Sequence, residues 1–134
     1  MDRILLAYDG SEPSRHAASR AAEVARSLGA PIEVIVVGEL LESGYGTEVP
    51  VVEPEVYDDV LAEVLALVRA AGAEAEGSVV WGRPADSIVR RAQEMPADLV
   101  VLGHKGRGAL EEFLMGSVAK NVIDHAHCSV LVVR

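Results

Sequence analysis

A glycine-rich stretch with two cations, late in the chain, is the part of the sequence best suited to chemistry. The apolar run 97–102 predicts a buried strand. Gly103, Gly106 and the pair Gly116-Ser117 follow it, and a helical pattern continues to residue 125. Glycine lets backbone N–H groups approach an anion without a Cβ in the way, and the first turn of a helix has free N–H groups. The order strand, glycine loop, helix therefore predicts a phosphate site.

The spacing does not match two well-known phosphate-binding patterns. The chain has no G-x-x-x-x-G-K-[ST], and G-x-G-x-x-G is absent because Glu111 follows Gly106 and Gly108 at the position of the third glycine. Glycine after a strand is also a common turn residue, so spacing alone leaves a plain turn open. The loop cations Lys105 and Arg107 could attract phosphates or could be solvated surface charges.

The spacing Gly103-x-x-Gly106, nine residues, then Gly116-Ser117 resembles the ATP-binding signature of the universal stress protein family. The resemblance covers the whole chain. Three further segments resemble the family's first strand and turn, the entry to its third helix and its closing strand: residues 1–11, 82–85 and 128–133. Residues 38–41, after the second predicted strand, depart from the family's usual pattern on the adenine side.

Length and composition predict one domain spanning residues 1–134, with a formal net charge of −9. An acidic chain without a cluster of five or more Lys and Arg is not expected to bind nucleic acid or an anionic membrane. No apolar run is long enough to span a bilayer. The single cysteine suits a reducing compartment, so we expect a cytoplasmic protein.

Hydrophobic periodicity predicts five strands that alternate with four helices, which is an α/β fold with helices on both faces of one parallel sheet. The predicted strands are residues 3–8, 31–37, 76–80, 97–102 and 129–133, and the predicted helices are residues 11–28, 55–71, 84–93 and 117–125. Residues 38–54 are expected to be the least regular part of the chain. The first helix is expected to bury one face made of Ala17, Ala18, Ala21, Ala25 and Leu28.

The family resemblance implies the strand order 3-2-1-4-5 of a Rossmann-like, adenine-nucleotide-hydrolase-like sheet. In that order strands one and four are adjacent and their connections leave to opposite faces, which opens a crevice. Asp9 ends the first strand and Gly103 ends the fourth, so both are predicted at this crevice. Asp9 could hold Mg²⁺ or the ribose, or it could only stabilise the turn at Gly10.

The resemblance also implies the contacts of an ATP and Mg²⁺ site. Gly103 and Gly106 would let the loop backbone approach ribose and phosphates, and Asp9 would bind the ribose or the metal. Backbone atoms near Val36 and Val37 would read the adenine edge. The start of the fourth helix would supply the N–H groups of Gly116, Ser117 and Val118.

The sequence shows no paired carboxylates and no nucleophile–base couple, so it does not predict a dedicated catalytic centre. The leading hypothesis is a cytoplasmic ATP-binding stress-response protein that acts as a nucleotide-dependent sensor or switch. The alternatives are a slow Mg²⁺-dependent ATPase and a dimerising interaction module that binds AMP or no nucleotide. The apolar edge strand 129–133 predicts a homodimer, as in similar proteins.

Overall fold

A computed structural model describes residues 2–106 and 115–134. The elements, in chain order, are β1 (Ile4–Ala7), α1 (Glu12–Leu28), β2 (Ile32–Gly38), β3 (Leu40–Glu42), β4 (Glu48–Pro50), α2 (Pro54–Ala70), β5 (Ala75–Trp81), α3 (Pro84–Glu94), β6 (Leu99–Gly103), α4 (Ser117–His125) and β7 (Ser129–Val133).

Five of the strands form one parallel sheet in the order β5-β2-β1-β6-β7. Numbered among themselves along the chain, these five strands have the order 3-2-1-4-5, so the predicted fold and strand order are confirmed. The strands β1 and β6 are neighbours, with Leu5 opposite Val100. The first and fourth strands of the sheet are therefore adjacent, as the predicted crevice between them requires.

Both faces of the sheet are covered. Ile4 and Leu6 face α1 and α2, whereas the alternate residue Leu5 faces α3 and α4, and all three are fully buried. Two-sided burial explains why the strands read as continuous apolar runs instead of alternating patterns. Because helices cover both faces, the loops that follow the strands meet at the carboxyl-end edge of the sheet.

The helix α1 packs closely on the sheet because its inner face is almost all alanine. Ser11 caps its N-terminus by accepting a hydrogen bond from the N–H of Ser14 at 3.3 Å, and Gly29 ends it in the left-handed conformation, with φ of 65°. The prediction that Leu28 joins the buried face was wrong, since Leu28 is 49% exposed. A helix of 17 residues extends about 26 Å, well beyond a four-residue strand of about 13 Å, so its last turn overhangs the sheet.

The segment 38–54 is more regular than expected. The strands β3 and β4 form a separate antiparallel hairpin, closed by a turn in which Ser43 Oγ lies 2.7 Å from Thr47 Oγ1 and Gly46 has φ of 77°. Strands of three residues are too short for periodicity to reveal. In the described residues, no helix combines the length and apolar character needed to cross a membrane.

Candidate functional site

The crevice at the carboxyl ends of β1 and β6 brings together residues from both sides. After β1 the chain enters α1 on one face, and after β6 it continues to α4 on the other face. Asp9 follows β1 at this edge, with its side chain partly exposed. An open α/β sheet binds its ligands at such a point, where connections diverge.

Asp9 takes part in the turn and also contacts the glycine loop. Its Oδ1 accepts a hydrogen bond from the N–H of Ser11 at 2.9 Å, next to Gly10 with φ of 81°. Its Oδ2 lies only 2.5 Å from the point where a Cβ on Gly106 would be. The turn-stabilising role is therefore present, and a side chain at residue 106 would require the other carboxylate oxygen to move.

Gly103 has a packing reason to be glycine. A Cβ at this position would lie 2.8 Å from the carbonyl carbon of Pro13 and 2.9 Å from the backbone nitrogen of Ser14. Both contacts are to the backbone of the first turn of α1, which no side-chain rotation can move away. The end of β6 thus accepts α1 at close range. The predicted role of Gly103 in approaching ribose or phosphate stays a prediction.

The start of α4 is joined to the loop that follows β6. Gly116 is the N-cap residue, with φ of −68° and ψ of 160°, and its N–H donates to the carbonyl oxygen of His104 at 2.7 Å. A Cβ on Gly116 would lie 3.1 Å from the Cα of Lys105. Among the described residues, no side chain caps the helix. The N–H groups of the first turn therefore have no intrahelical acceptor, and exposed Ser117 lies among them.

At the carboxyl end of β2, the backbone groups of Val36 and Val37 point to opposite sides of the strand. In a strand, the N–H and C=O of one residue point to the same side, and successive residues alternate. The carbonyl of Ile35 accepts from Tyr8 of the β1 side at 3.1 Å, whereas that of Gly38 accepts from Gly82 of the β5 side. Val36 therefore points to β5 and Val37 to the β1 side. Because the last hydrogen bond between the two strands joins Tyr8 to Ile35, the backbone of Val37 is directed past the end of β1.

Two further residues of the glycine loop, His104 and Arg107, bear on phosphate binding. The ring nitrogen Nδ1 of His104 is buried and has no hydrogen-bond partner within residues 2–106 and 115–134. A buried polar atom without a partner is costly unless a ligand or water satisfies it. The position of His104 inside the glycine loop suggests a contact with phosphate, although no base or acid in the sequence is expected to pair with it. The predicted loop cation Arg107 lies outside the described residues.

Tyr8 belongs to the opposite face of the sheet and not to the crevice. Its ring packs with the residues under α1 and α2. Burial and the nearby carboxylate of Glu63 raise the pKa of its hydroxyl, while Arg15 opposes them. The phenol therefore stays neutral at physiological pH and serves packing.

Within the described part of the chain, a cavity adjoins the start of α4. A groove of about 610 Å³ between α3 and α4 is lined by Ser117, Val118 and Arg83, among others. A larger cavity of about 720 Å³ lies at the amino ends of the strands, lined by Arg3, Ile32 and neighbours, at the far end of the sheet from Asp9. The larger volume therefore does not mark the predicted site.

The residues present fit a magnesium ion only as part of a metal–phosphate complex. The described part of the chain contains no group of three or more His, Cys, Asp or Glu arranged to hold a metal. Mg²⁺ commonly uses one or two carboxylates, phosphate oxygens and water. The carboxylate of Asp9 beside the bare Cα of Gly106 matches that requirement.

The model of the universal stress protein family matches residues 1–134. The chain belongs to the universal stress protein family. It is 36% identical over 135 residues to a universal stress protein of Thermus aquaticus, with 98% of this chain and 97% of the relative covered. A universal stress protein of Methanocaldococcus jannaschii is 33% identical over 138 residues, covering 98% and 81% of the two chains.

Two solved universal stress proteins contain adenine nucleotides. One, in complex with cAMP, has a TM-score of 0.79 and 30% identity to this chain, and 99% of this chain and 97% of the other are covered. The second, from Archaeoglobus fulgidus in complex with dAMP, has a TM-score of 0.74 and 28% identity, with 100% and 98% covered. Both ligands carry adenine and a phosphate.

Proposed function

We propose that this universal stress protein binds ATP with Mg²⁺ in the crevice between β1 and β6 and acts in the cytoplasm as a nucleotide-dependent sensor or switch of the stress response. The observation that carries the proposal is the backbone of Val37, which has no β1 partner among the described residues and lies at the same carboxyl edge of the sheet as Asp9. The solved relatives support the proposal, because their ligands, cAMP and dAMP, both contain adenine and a phosphate.

The adenine ring would be read by the end of β2. Adenine offers a donor at N6 and an acceptor at N1 on one edge. A strand residue with a free C=O and N–H on the same side matches that pair. Val37 is such a residue, whereas the backbone of Val36 points into the ladder with β5. We therefore assign base recognition to Val37, with Val36 as the packing residue below it.

The phosphates would lie along the glycine loop and the start of α4. Gly106 permits close approach beside Asp9, and Gly116, Ser117 and Val118 supply N–H groups that no side chain caps. Asp9 would hold the magnesium ion through its carboxylate. The bound metal would neutralise phosphate charge, which an acidic protein needs in order to bind a triphosphate. The Nδ1 of His104 gains a polar neighbour in the filled site.

The test is calorimetry with magnesium ATP on the wild-type chain, Gly106→Ala and Gly44→Ala. A Cβ at residue 106 would lie 2.5 Å from Asp9 Oδ2, so the carboxylate must move and affinity should fall about tenfold. At Gly44 an added Cβ meets nothing within 4 Å, so this variant should bind like the wild type. Equal affinity of all three proteins, or no heat from the wild type, would contradict the proposal.

We also propose a homodimer through the outer edge of β7. Among the described strands β7 pairs with β6 alone, and its residues 130–133 are partly buried and apolar. The carbonyl of Val133 faces β6, since it accepts from His104 N, so the N–H of Val132 points outward. Val132→Pro removes that donor without touching the β6 ladder. Light scattering should show a wild-type dimer and a Val132→Pro monomer, and a monomeric wild type would overturn the proposal.

A further inference from the structure

Eight of the 21 acidic residues lie in one stretch around the β3–β4 hairpin, where no basic residue balances them. No Lys, Arg or His occurs from residue 27 to residue 68. Within that gap, eight carboxylates lie between residues 39 and 63: Glu39, Glu42, Glu48, Glu53, Glu55, Asp58, Asp59 and Glu63. The same stretch also exposes large apolar side chains, each at least 39% accessible: Leu41, Tyr45, Val49, Val51, Val52 and Val56. A surface that is both acidic and apolar is suited to a basic, apolar partner.

The two faces of the hairpin differ in chemistry. Leu41 lies opposite Val49, and both side chains are exposed on one face. On the other face Glu42 lies directly opposite Glu48. Like charges in direct cross-strand register destabilise a hairpin. A cation placed beside this pair would remove the repulsion, so the acidic face favours a basic neighbour.

The outer edge of β3 presents backbone N–H and C=O groups that bond to no described strand, whereas the outer edge of β4 lacks one N–H group. The N–H of Val51 donates to Glu39 and that of Ser43 donates to Thr47, at 2.9 and 2.6 Å, so the odd-numbered residues of β3 point to β4. Leu40 and Glu42 consequently direct their N–H and C=O outward. No described strand pairs with that edge. On β4 the corresponding position is Pro50, which has no N–H.

The chain is anchored to the body of the protein at Gly38 and Glu39, just before β3. The ring of Trp81 packs on Gly38, where a Cβ would lie 2.6 Å from the indole. Tyr57 meets Trp81 edge to face at 5.2 Å, and its hydroxyl accepts from the N–H of Glu39 at 3.2 Å. A two-stranded ribbon alone is only marginally stable, and these contacts support the hairpin at the point where it joins β2.

We propose that the outer edge of β3 is a docking site for an extended segment of a partner protein in which basic and apolar residues alternate. Added as a third strand, such a segment places its apolar side chains beside Leu41 and its basic side chains beside Glu42, because side chains alternate between faces. A second copy of this chain would bring eight more carboxylates to the same edge. Charge therefore selects a basic partner. This docking site does not depend on the nucleotide crevice.

The test uses a blocked heptapeptide of alternating lysine and valine, titrated into the full chain with residue-specific NMR. The amides of Leu40 and Glu42 should shift and binding should weaken as salt is raised. A peptide of the same composition with lysines and valines in separate blocks should bind more weakly. Leu40→Pro deletes an outward donor and should abolish the shifts at residue 42, while Gly44→Ala, with no neighbour near its new Cβ, should bind like the wild type.

Charge reversal separates binding from hairpin stability. Glu42→Lys removes the Glu42–Glu48 repulsion, so it should stabilise the fold slightly yet weaken the heptapeptide about fivefold. Asp124→Lys makes the same net change on exposed α4 and should leave affinity unchanged. No binding, equal binding of both peptides, or full affinity in Leu40→Pro would overturn the proposal. So would self-association that Leu40→Pro abolishes, since the edge would then serve a second copy.

Discussion

Gly103→Ala should destabilise the protein even in the absence of nucleotide. The new Cβ would lie 2.8 Å from the carbonyl carbon of Pro13, 0.6 Å closer than the 3.4 Å at which ordinary contact begins. It would also lie 2.9 Å from the backbone nitrogen of Ser14. Because both neighbours are backbone atoms, the first turn of α1 must shift away from β6, and the buried alanine face of the helix shifts with it.

The expected size of the effect follows from known costs of overpacking. Inserting a methyl group into a packed site costs about 1–3 kcal/mol, and the smaller backbone entropy of alanine in the unfolded chain returns about 0.5 kcal/mol. We expect a net loss of about 1.5 kcal/mol. With an unfolding entropy of about 0.28 kcal/mol/K for a chain of 134 residues, the midpoint should fall by about 5 °C.

Thermal unfolding by circular dichroism, without nucleotide, measures this shift. The matched control is Gly44→Ala, at which an added Cβ meets nothing within 4 Å. Its midpoint should equal that of the wild type or lie slightly above it. If Gly103→Ala unfolds within about 1 °C of Gly44→Ala, close packing of α1 is not the reason for glycine at this position.

Three further predictions concern charge and titration. The carboxylate of Asp98 accepts hydrogen bonds from the N–H groups of Asp2 and Arg3 at 2.7 and 2.9 Å, and these bonds lower the pKa of Asp98. The bonds therefore stabilise the fold fully above the unfolded pKa of 3.8, and this stabilisation disappears as the pH falls through the lower folded pKa. Urea unfolding of Asp98→Asn should thus show a deficit at neutral pH that vanishes in strong acid, and a deficit independent of pH would refute it. Arg91 makes a forked ion pair with Glu33, in which Nη2 lies 2.6 Å from Oε1. Arg91→Lys should therefore lower the free energy of unfolding in urea by about 1 kcal/mol. An unchanged midpoint would show that the pair contributes nothing. Burial, and secondarily Asp98, raises the pKa of the Cys128 thiol, so iodoacetamide should alkylate the folded chain more slowly than the urea-unfolded chain, and equal rates would contradict this.

Sequence patterns were sufficient for the elements whose signals are local. The alanine face of α1 follows from spacing within one helix, and the burial of Ala17, Ala18, Ala21 and Ala25 was confirmed. The continuous apolar runs also predicted a sheet covered on both faces. The order of the strands came from family resemblance, because periodicity carries no information on which strands are neighbours.

The features that escaped sequence reasoning depend on distance across the fold. Leu28 fits the helical stripe, but its exposure follows from the length of α1 relative to the strands. The difference between Val36 and Val37 depends on which side each peptide group points to and on where β1 ends. Gly103 looked like a loop glycine, although its nearest neighbours belong to α1, about 90 residues earlier in the chain.

The most direct test of the central claim compares two neighbouring amides in one titration. Magnesium ATP is added to labelled protein, and the backbone amides of Val37 and Val36 are followed by NMR. Our account predicts that the Val37 amide shifts with saturation as the adenine hydrogen-bonds to it, while the Val36 amide, directed at β5, moves little. An unmoved Val37 amide at saturating nucleotide would contradict the account.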